Sequence, residues 1–332
     1  MKPVYWLLPG LLFGIPAFAQ SVPEPPSVEA AELGTDLRYL SNCLQQGQFA
    51  AVDSLLATQS REQREYLLLQ LLRNINVTRP ASPELHAWVA AQADKAPRWL
   101  VEQRVDGFLV QQPAYDFAAQ ARLLLGQWQQ LAWQADYRQQ LEQGTFGFKS
   151  IYYRGNPELA RQQQALLQAL EQLPVSLLQR ESRTLAAQNI YLPDNRLLSY
   201  LLQRTGEPAL YSRLWRQPVD QDALAALATI NRFHQGNEAS ELLIAASTNP
   251  HLKEPALRQL SALSPLPQQA RSYLLGELAN RQYGSLVADL LMEVDEPLLL
   301  SALAKRLGQH DQNPMTPTLF PDSGTPERRP GL

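Results

Sequence analysis

The sequence predicts an all-α protein, an α-α superhelix in which paired antiparallel helices stack into a solenoid. Apolar residues recur at helical spacing in segments of about 10–18 residues, whereas the alternation typical of strands is almost absent. Proline opens or nearly opens many segments, where its fixed φ favours the first turn and its missing N–H costs little. These residues are Pro83, Pro97, Pro113, Pro157, Pro174, Pro193, Pro208, Pro255, Pro267 and Pro297.

The first 19 residues have the pattern of a secretory signal peptide. Lys2 precedes an apolar run that ends in Ala17-Phe18-Ala19, and the small residues at 17 and 19 suit signal peptidase. We therefore expect cleavage after Ala19 and a periplasmic or secreted protein without stable membrane insertion. An uncleaved amino-terminal anchor is the alternative, because Lys2 and the terminal amine are the only positive charges before the run.

Charge and cysteine content narrow the classes of partner and site. The chain has 29 Lys and Arg residues against 32 Asp and Glu, a formal net charge of −3. Nucleic-acid binders carry a basic excess that displaces counterions from phosphates, so we expect no nucleic-acid partner. Cys43 is the only cysteine, which excludes intrachain disulfides and thiolate metal clusters. Because it lies beside a helical apolar stripe, we expect a buried thiol. The stripe consists of Leu33, Leu37, Leu40 and Leu44.

Composition, and the positions of proline and glycine residues that interrupt the helical pattern, divide the rest of the chain into five regions. Two of them have helical periodicity, and the proline-spaced carboxyl end lacks the apolar content for a core, so we expect that end to be disordered. The regions are a flexible leader at 20–28, amino-terminal helical repeats at 29–143, an aromatic connecting loop at 144–156, a second set of helical repeats at 157–309, and the tail at 310–332.

The longest helical segment runs from about Tyr115 to Gln143. Its apolar stripe is expected to face a neighbouring helix pair, and it consists of Phe117, Ala121, Leu124, Trp128, Leu131 and Ala135. Large aromatics at helical spacing are usually buried, so we expect core packing for the tryptophans of this half. A carbohydrate-stacking platform is the alternative. The tryptophans concerned are Trp88, Trp99, Trp128 and Trp133.

The carboxyl half resembles itself along the chain. Glu241-Leu-Leu-Ile followed by Glu254-Pro-Ala-Leu-Arg-Gln-Leu is similar to Asp289-Leu-Leu-Met followed by Glu296-Pro-Leu-Leu-Leu-Ser-Ala. Over 215–309 the chain resembles HEAT and armadillo repeats, whose units span about 40–47 residues. This resemblance implies stacked helix pairs with a concave face for a protein or peptide partner, and it implies no catalytic residue.

The amino half is similar in kind but less regular. Its stretch Leu44-Gln-Gln-Gly-Gln-Phe-Ala-Ala-Val-Asp-Ser-Leu-Leu resembles the turn and second helix of a tetratricopeptide repeat. The rest of that repeat's pattern is missing, so the resemblance implies only a solenoid of paired helices.

The connecting loop at 144–156 departs from the helical order, with the sequence Gly-Thr-Phe-Gly-Phe-Lys-Ser-Ile-Tyr-Tyr-Arg-Gly-Asn. Its glycines and β-forming residues predict an irregular connection or a short hairpin. As a binding element, it would present to a partner the side chains of Phe146, Phe148, Tyr152, Tyr153 and Arg154. As an ordered linker, it would bury its rings at the joint between the two halves, since exposed aromatics are costly. The sequence leaves both interpretations open.

Motifs that carry chemistry are missing from the sequence. The histidines, His86, His234, His251 and His310, are scattered, and no H-E-x-x-H pair occurs. We expect His234 to cap or pack at a helix end. The chain also lacks a G-x-S-x-G elbow, a phosphate loop and a dinucleotide fingerprint, so we expect no catalytic, metal-binding or cofactor-binding residue.

One segment has an enzymatic resemblance. Gln179-Arg180-Glu181-Ser182 is similar to the segment that bears the catalytic acid in lytic transglycosylases, some of which also carry helical superhelices. The glycine-rich continuation of that family is replaced here by Arg183-Thr-Leu-Ala-Ala-Gln-Asn. We therefore expect Glu181 to lie on a solvated helix edge rather than to act as a general acid.

These observations favour an exported helical-repeat scaffold that binds a protein or peptide partner in the cell envelope, without catalytic activity and without a cofactor. The alternatives are a peptidoglycan-directed enzyme or glycan-binding accessory, and a purely structural spacer.

The signal peptide gives the first testable prediction. Protein recovered from the exported fraction should begin at Gln20, because signal peptidase needs the small residues Ala17 and Ala19. Intact-mass and amino-terminal peptide mass spectrometry measure this directly. An intact Met1 on protein in the membrane fraction would contradict both the cleavage and the periplasmic location.

Overall fold

The structure is a computed structural model that describes residues 30–105 and 108–294. Several sequence-based predictions lie outside these residues. They are the signal peptide at 1–19 with its cleavage site, the leader at 20–28, the end of the second repeat region at 295–309, and the tail at 310–332.

The described residues are mostly helical, which confirms the all-α prediction, and they separate into two compact units. The first unit ends at Tyr137, within the last helix of that half. Its elements are α1 (Ala30–Gln45), α2 (Phe49–Thr58), α3 (Arg61–Arg73), α4 (Pro83–Ala93), β1 (Leu100–Val105), β2 (Phe108–Pro113) and α5 (Phe117–Gln143).

Local signals in the sequence explain where the helices of the first unit begin. Ser60 and Gln63 form a reciprocal capping box at the start of α3, which satisfies two backbone N–H groups that have no partner inside the helix. Ser82 caps α4 and Pro83 occupies its first turn, as the proline pattern predicts.

The core of the first unit joins α1–α4 to the beginning of α5. Leu40 is completely buried and Cys43 nearly so, which confirms the buried thiol. Trp88 and Trp128 belong to this core, and the Trp88 indole N–H donates to Asp53 Oδ1 at 3.1 Å. Trp99 differs from the expectation, because 38% of its side chain is exposed.

The second unit begins at Arg138 and contains the last turns of α5 and ten further described helices. Helices close in sequence contact each other: α7 contacts α8 and α9, and α12 contacts α13 and α14. The helices are α6 (Leu159–Glu171), α7 (Val175–Ala187), α8 (Arg196–Thr205), α9 (Pro208–Leu214), α10 (Gln221–Leu227), α11 (Ile230–Phe233), α12 (Gly236–Ser247), α13 (Pro250–Ser261), α14 (Gln268–Glu277) and α15 (Gly284–Met292).

Several prolines of the second unit begin or closely precede helices, whereas Pro255 lies inside one. Pro174 and Pro267 directly precede α7 and α14, and Pro208 is the first residue of α9. Pro255 was expected near a helix start but lies inside α13, which begins at Pro250. The backbone hydrogen bond that Pro255 cannot make would reach the carbonyl of the exposed first turn, where the loss costs less than in a buried turn.

The strands are the main difference from the sequence-based expectation. A short hairpin was one possibility for 144–156, but that segment contains a 3-10 turn, Phe148–Ser150, among other turns. The antiparallel hairpin instead joins α4 to α5, at Leu100–Val105 and Phe108–Pro113. Pro97 therefore precedes the hairpin and Pro113 is its last strand residue, so neither opens a helix.

A glycine in the left-handed region follows α8 and contacts the end of α11. Gly206 follows α8 with φ of 62°, and its carbonyl accepts a hydrogen bond from His234 Nε2 at 2.7 Å. The Phe233 side chain lies so close to the glycine that an added Cβ would be 2.5 Å from both Cβ and Cγ of Phe233. Both the backbone conformation and the contact require glycine here.

Replacing Gly206 by Ala should lower the free energy of unfolding by about 3 kcal/mol, because the left-handed conformation and the overlap with Phe233 both become unfavourable. Gly155→Ala is the matched control. Gly155 also has a positive φ, of 82°, but an added Cβ would meet nothing within 4 Å, so only about 1 kcal/mol should be lost. Urea denaturation measures both changes. Equal losses in the two variants would contradict the packing role of Phe233.

Candidate functional site

The hairpin formed by β1 and β2 carries the densest group of exposed large apolar side chains in the described residues. Elsewhere such side chains are scattered singly along the sequence, as at Tyr39, Leu123 and Tyr191. In the hairpin, exposure ranges from 38% to 74%. The six side chains are Trp99, Leu100, Val101, Phe108, Leu109 and Val110.

The strand register places these side chains on both faces of the hairpin. Residues paired across the strands share a face, and successive residues alternate. The pairs Val101 with Gln112 and Gln103 with Val110 define one face, which we call the valine face. Leu100 and Leu109 lie on the opposite face. The described side chains of the valine face are Val101, Gln103, Phe108, Val110 and Gln112.

A buried carboxylate of α3 fixes the point where the chain enters the hairpin. Glu65 accepts the backbone N–H of Arg98 at 2.7 Å and that of Trp99 at 3.1 Å, one on each carboxylate oxygen. Glu65 is buried, and hydrogen bonds to a charged acceptor are about twice as strong as neutral ones. The backbone N–H of Ala114 donates to the Trp99 carbonyl at 2.9 Å and closes the base.

The chain leaves the hairpin through a second contact with α3. Tyr115 is buried, and its ring packs edge-on against Tyr66, with 5.5 Å between ring centroids. Burial, and then the nearby Glu62 carboxylate, raise the pKa of the Tyr115 hydroxyl above its ordinary value, so it stays protonated at neutral pH. Contacts with α3 thus hold the chain both where it enters β1 and where it leaves β2, while the strands stay exposed.

The aromatic loop at 144–156 contributes less exposed surface than the binding interpretation requires. Phe146 and Phe148 are buried and stack edge-on at 5.0 Å, and Tyr152 is buried as well. Burial, and then the Asp194 carboxylate, raise the pKa of the Tyr152 hydroxyl far above its ordinary value.

The two remaining residues of the predicted set, Tyr153 and Arg154, are exposed, Tyr153 by 47%. They do not belong to a larger apolar cluster of the loop. Asn156 fixes the end of this loop, since its Nδ2 donates to the Ile151 carbonyl at 2.7 Å and to Gln162 Oε1 at 2.8 Å.

Glu181 is buried, with 3% of its surface exposed, so the expected solvated helix edge is wrong. Its carboxylate accepts Arg180 Nε–H at 2.8 Å. Arg180 in turn donates through Nη2 to the carbonyl of Leu141, in the last turn of α5. That carbonyl also accepts the Gly144 backbone N–H at 3.2 Å, and an arginine at this end interacts favourably with the helix dipole. Glu181 therefore holds Arg180 in position at the end of α5.

His234 is buried at the end of α11, in agreement with a packing role. Its Nε2 faces the Gly206 carbonyl, and its Nδ1 lies 3.2 Å from Glu238 Oε1. Within residues 30–105 and 108–294, no three His, Cys, Asp or Glu side chains are arranged to hold a metal ion.

The second unit has a polar surface pocket of about 480 Å³ beside Lys253 and Tyr273. Lys253 Nζ lies 2.9 Å from Glu277 Oε2, and Asn280 donates to the same carboxylate. Although burial alone would raise the pKa of Glu277, hydrogen bonds and charge from Lys253 lower it below its ordinary value. The charges of the pocket are therefore already paired within the protein.

The described helices include none whose length and apolar content would let it cross a membrane. Comparison with protein families, with curated proteins and with solved structures finds no match for this chain.

The role of Glu65 is testable by Glu65→Gln. The amide has one oxygen acceptor, and its NH2 group would face the second backbone N–H, so one of these donors loses its partner. We expect the free energy of unfolding to fall by about 1–3 kcal/mol and the amides of β1 and β2 to exchange faster. Hydrogen-exchange mass spectrometry of the 98–114 peptide measures the local effect.

The matched control is Glu84→Gln, which changes an exposed carboxylate in the first turn of α4. It should leave exchange at 98–114 unchanged. Wild-type exchange in Glu65→Gln would show that Glu65 does not hold the hairpin base.

Proposed function

We propose that the chain is an exported, non-catalytic helical-repeat scaffold whose β1–β2 hairpin binds an apolar surface of a protein or peptide partner in the cell envelope. The signal-peptide pattern at 1–19 supports export. The contacts among helices close in sequence, such as α12 with α13 and α14, support a HEAT-like superhelix of paired antiparallel helices. In such a scaffold, helices provide rigidity and connecting segments provide the binding residues.

The observation that carries the proposal is the exposure of the hairpin side chains. Clustered apolar surface in water is costly unless a partner covers it, whereas single exposed apolar residues are common and need no explanation. Phe108 and Val110 are 74% and 44% exposed and lie together on the valine face. Burying apolar area contributes about 25 cal/mol per Å², so these neighbours can supply the central contact of an interface.

The anchored base makes the hairpin suitable for binding. Two hydrogen bonds to Glu65 and the Tyr66–Tyr115 contact fix the base before a partner arrives. A preorganised element loses less conformational freedom on binding than a mobile one, and more of the contact energy appears as affinity. In the loop at 144–156, by comparison, three of the five predicted binding residues are committed to the protein's own interior.

The exposed Trp99 also fits the alternative of a glycan-binding accessory, because an indole ring can stack on a sugar. The proposal favours a protein partner because the other exposed hairpin side chains named above are mostly aliphatic, and aliphatic side chains match an apolar protein surface better than a polyhydroxylated one. A structural spacer would need no such surface.

Site-specific photo-crosslinking in intact cells tests the proposal. A photoreactive phenylalanine analogue at position 108 should form a discrete adduct with a protein. Val101→Ser and Val110→Ser, which change the same valine face, should each reduce the adduct about fivefold or more, because each removes a partly exposed apolar contact worth about 1 kcal/mol.

Two controls make the result specific. Leu224→Ser changes an exposed leucine of α10 and should leave the adduct unchanged, and the analogue at Tyr191 should not form it. An adduct only with peptidoglycan would favour the glycan alternative, and an adduct only with lipid would place the hairpin on a membrane. No adduct at 108, or equal adducts at 108 and 191, would contradict the proposal.

A further inference from the structure

The outer edge of β1 has no partner strand in the described residues, because the sheet consists of two strands. The hydrogen bond from Ala114 N–H to the Trp99 carbonyl identifies residues 99 and 114 as a hydrogen-bonded pair of the antiparallel ladder. Such pairs alternate, so Val101 and Gln103 direct their backbone groups toward β2. Leu100, Glu102 and Arg104 therefore direct theirs outward.

The two edges of the hairpin differ in what they offer. On β2, residues 109, 111 and 113 direct their backbone groups outward by the same alternation, and Pro113 has no N–H to donate. The edge of β1 instead offers a complete N–H and C=O at each outward position. The β1 edge is thus the better template for adding a strand.

The sequence of β1 is complementary to itself when reversed. Val101-Glu102-Gln103-Arg104-Val105 has an apolar residue at each end and opposite charges on the two sides of Gln103. Two copies can pair antiparallel about a two-fold axis at Gln103. Glu102 of each copy then lies opposite Arg104 of the other, so the contact contains two equivalent pairs of opposite charge. Both residues direct their backbone N–H and C=O groups outward. The strand register that pairs these groups in hydrogen bonds between the copies is therefore the register that places the opposite charges together. Both side chains are exposed.

We propose that the β1 edge binds the β1 edge of a second copy of this chain, which forms a four-stranded antiparallel sheet in the order β2-β1-β1-β2. The contact is self-complementary, as a two-fold dimer requires. It also gives the hairpin the additional strands that an isolated pair needs for stability in water. Mixed charges spaced along one edge fit a second strand better than a lipid surface, which attracts clustered basic residues.

The inference rests on the proposed function, because it assigns the second copy to the same exposed hairpin. The two-fold axis is perpendicular to the new sheet, so the valine faces of both copies lie on the same side. Val101, Phe108 and Val110 of each copy then form one larger apolar surface. The dimer would present this surface to the partner and use only the edges of β1 for its own assembly.

Sedimentation velocity of the purified protein over a concentration series tests the dimer. Glu102→Arg alone and Arg104→Glu alone each place like charges opposite each other, and each should raise the dimer dissociation constant about tenfold or more. The double variant Glu102→Arg/Arg104→Glu reverses both charges and should restore wild-type association. Glu84→Arg makes the same charge change at an exposed position of α4, away from the hairpin, and is the matched control that should not change association.

A disulfide test keeps the inference falsifiable if charge variants fold poorly. Gln103 pairs with itself across the axis at a non-hydrogen-bonded position, where cysteine side chains come close enough to bond. Gln103→Cys should therefore oxidise to a covalent dimer, while Gln111→Cys should not. The native Cys43 is buried and does not interfere.

A monomeric wild type, association that single charge reversals leave unchanged, failure of the double variant to restore it, or equal crosslinking at 103 and 111 would each overturn the inference. These measurements use the purified chain alone, so they can contradict the dimer without contradicting the proposed function. A monomer that still forms the protein adduct at Phe108 would overturn the dimer and support the partner. A dimer without that adduct would support the dimer and contradict the partner.

Discussion

The hydrogen bonds between Glu65 and the backbone of Arg98 and Trp99 decide how the exposed hairpin is presented. A two-stranded ribbon with both faces in water has little intrinsic stability. Its geometry must therefore come from its base, where α3 contacts the entering chain through Glu65 and the leaving chain through Tyr66. A buried carboxylate is costly unless its oxygens are satisfied, and here the two backbone N–H groups satisfy them. The two backbone N–H groups that offset the cost of burying Glu65 therefore also hold the base of the hairpin in place.

The second unit uses buried polar groups in the same way, at the ends of its helices. Glu181 holds Arg180 at a carbonyl of the last turn of α5, and His234 donates to the carbonyl of Gly206 after α8. In each case a side chain donates to a carbonyl at or just beyond the end of a helix, where intrahelical partners are fewest. Glutamate and histidine are residue types that often act in catalysis, but here the contacts of Glu181 and His234 stabilise helix ends.

Helical periodicity made much of the fold predictable. The stripe through Phe117, Ala121, Leu124 and Trp128 identified α5 to within a few residues, because side chains that recur every three or four positions must share one buried face. The hairpin was missed for a related reason: neither of its faces is buried, so its strands do not alternate cleanly between apolar and polar residues. The dipeptide Asp106-Gly107 between two apolar runs was the sequence signal that could have indicated it.

The candidate site was less predictable than the fold. The burial of Glu181 depends on Arg180 and on a carbonyl of another helix, and that of Phe146, Phe148 and Tyr152 on packing within the second unit. Such contacts between residues far apart in sequence leave no local pattern. Composition nevertheless identified the aromatic loop as unusual, and only the solvent exposure of its rings was left undecided.

We expect a partner to cover the valine face of the hairpin in the protein's native setting. Phe108→Cys places a thiol at the most exposed position of that face, which stays open when two copies pair through β1. Its rate of labelling by a membrane-permeant maleimide should be compared between intact cells and dilute purified protein, with Tyr191→Cys as the reference for exposure. If a partner covers this face, the Phe108→Cys thiol reacts much more slowly in cells, while the Tyr191→Cys thiol reacts alike in both settings. Equal labelling of the Phe108→Cys thiol in cells and in solution would show that the surface is uncovered and that no partner binds there.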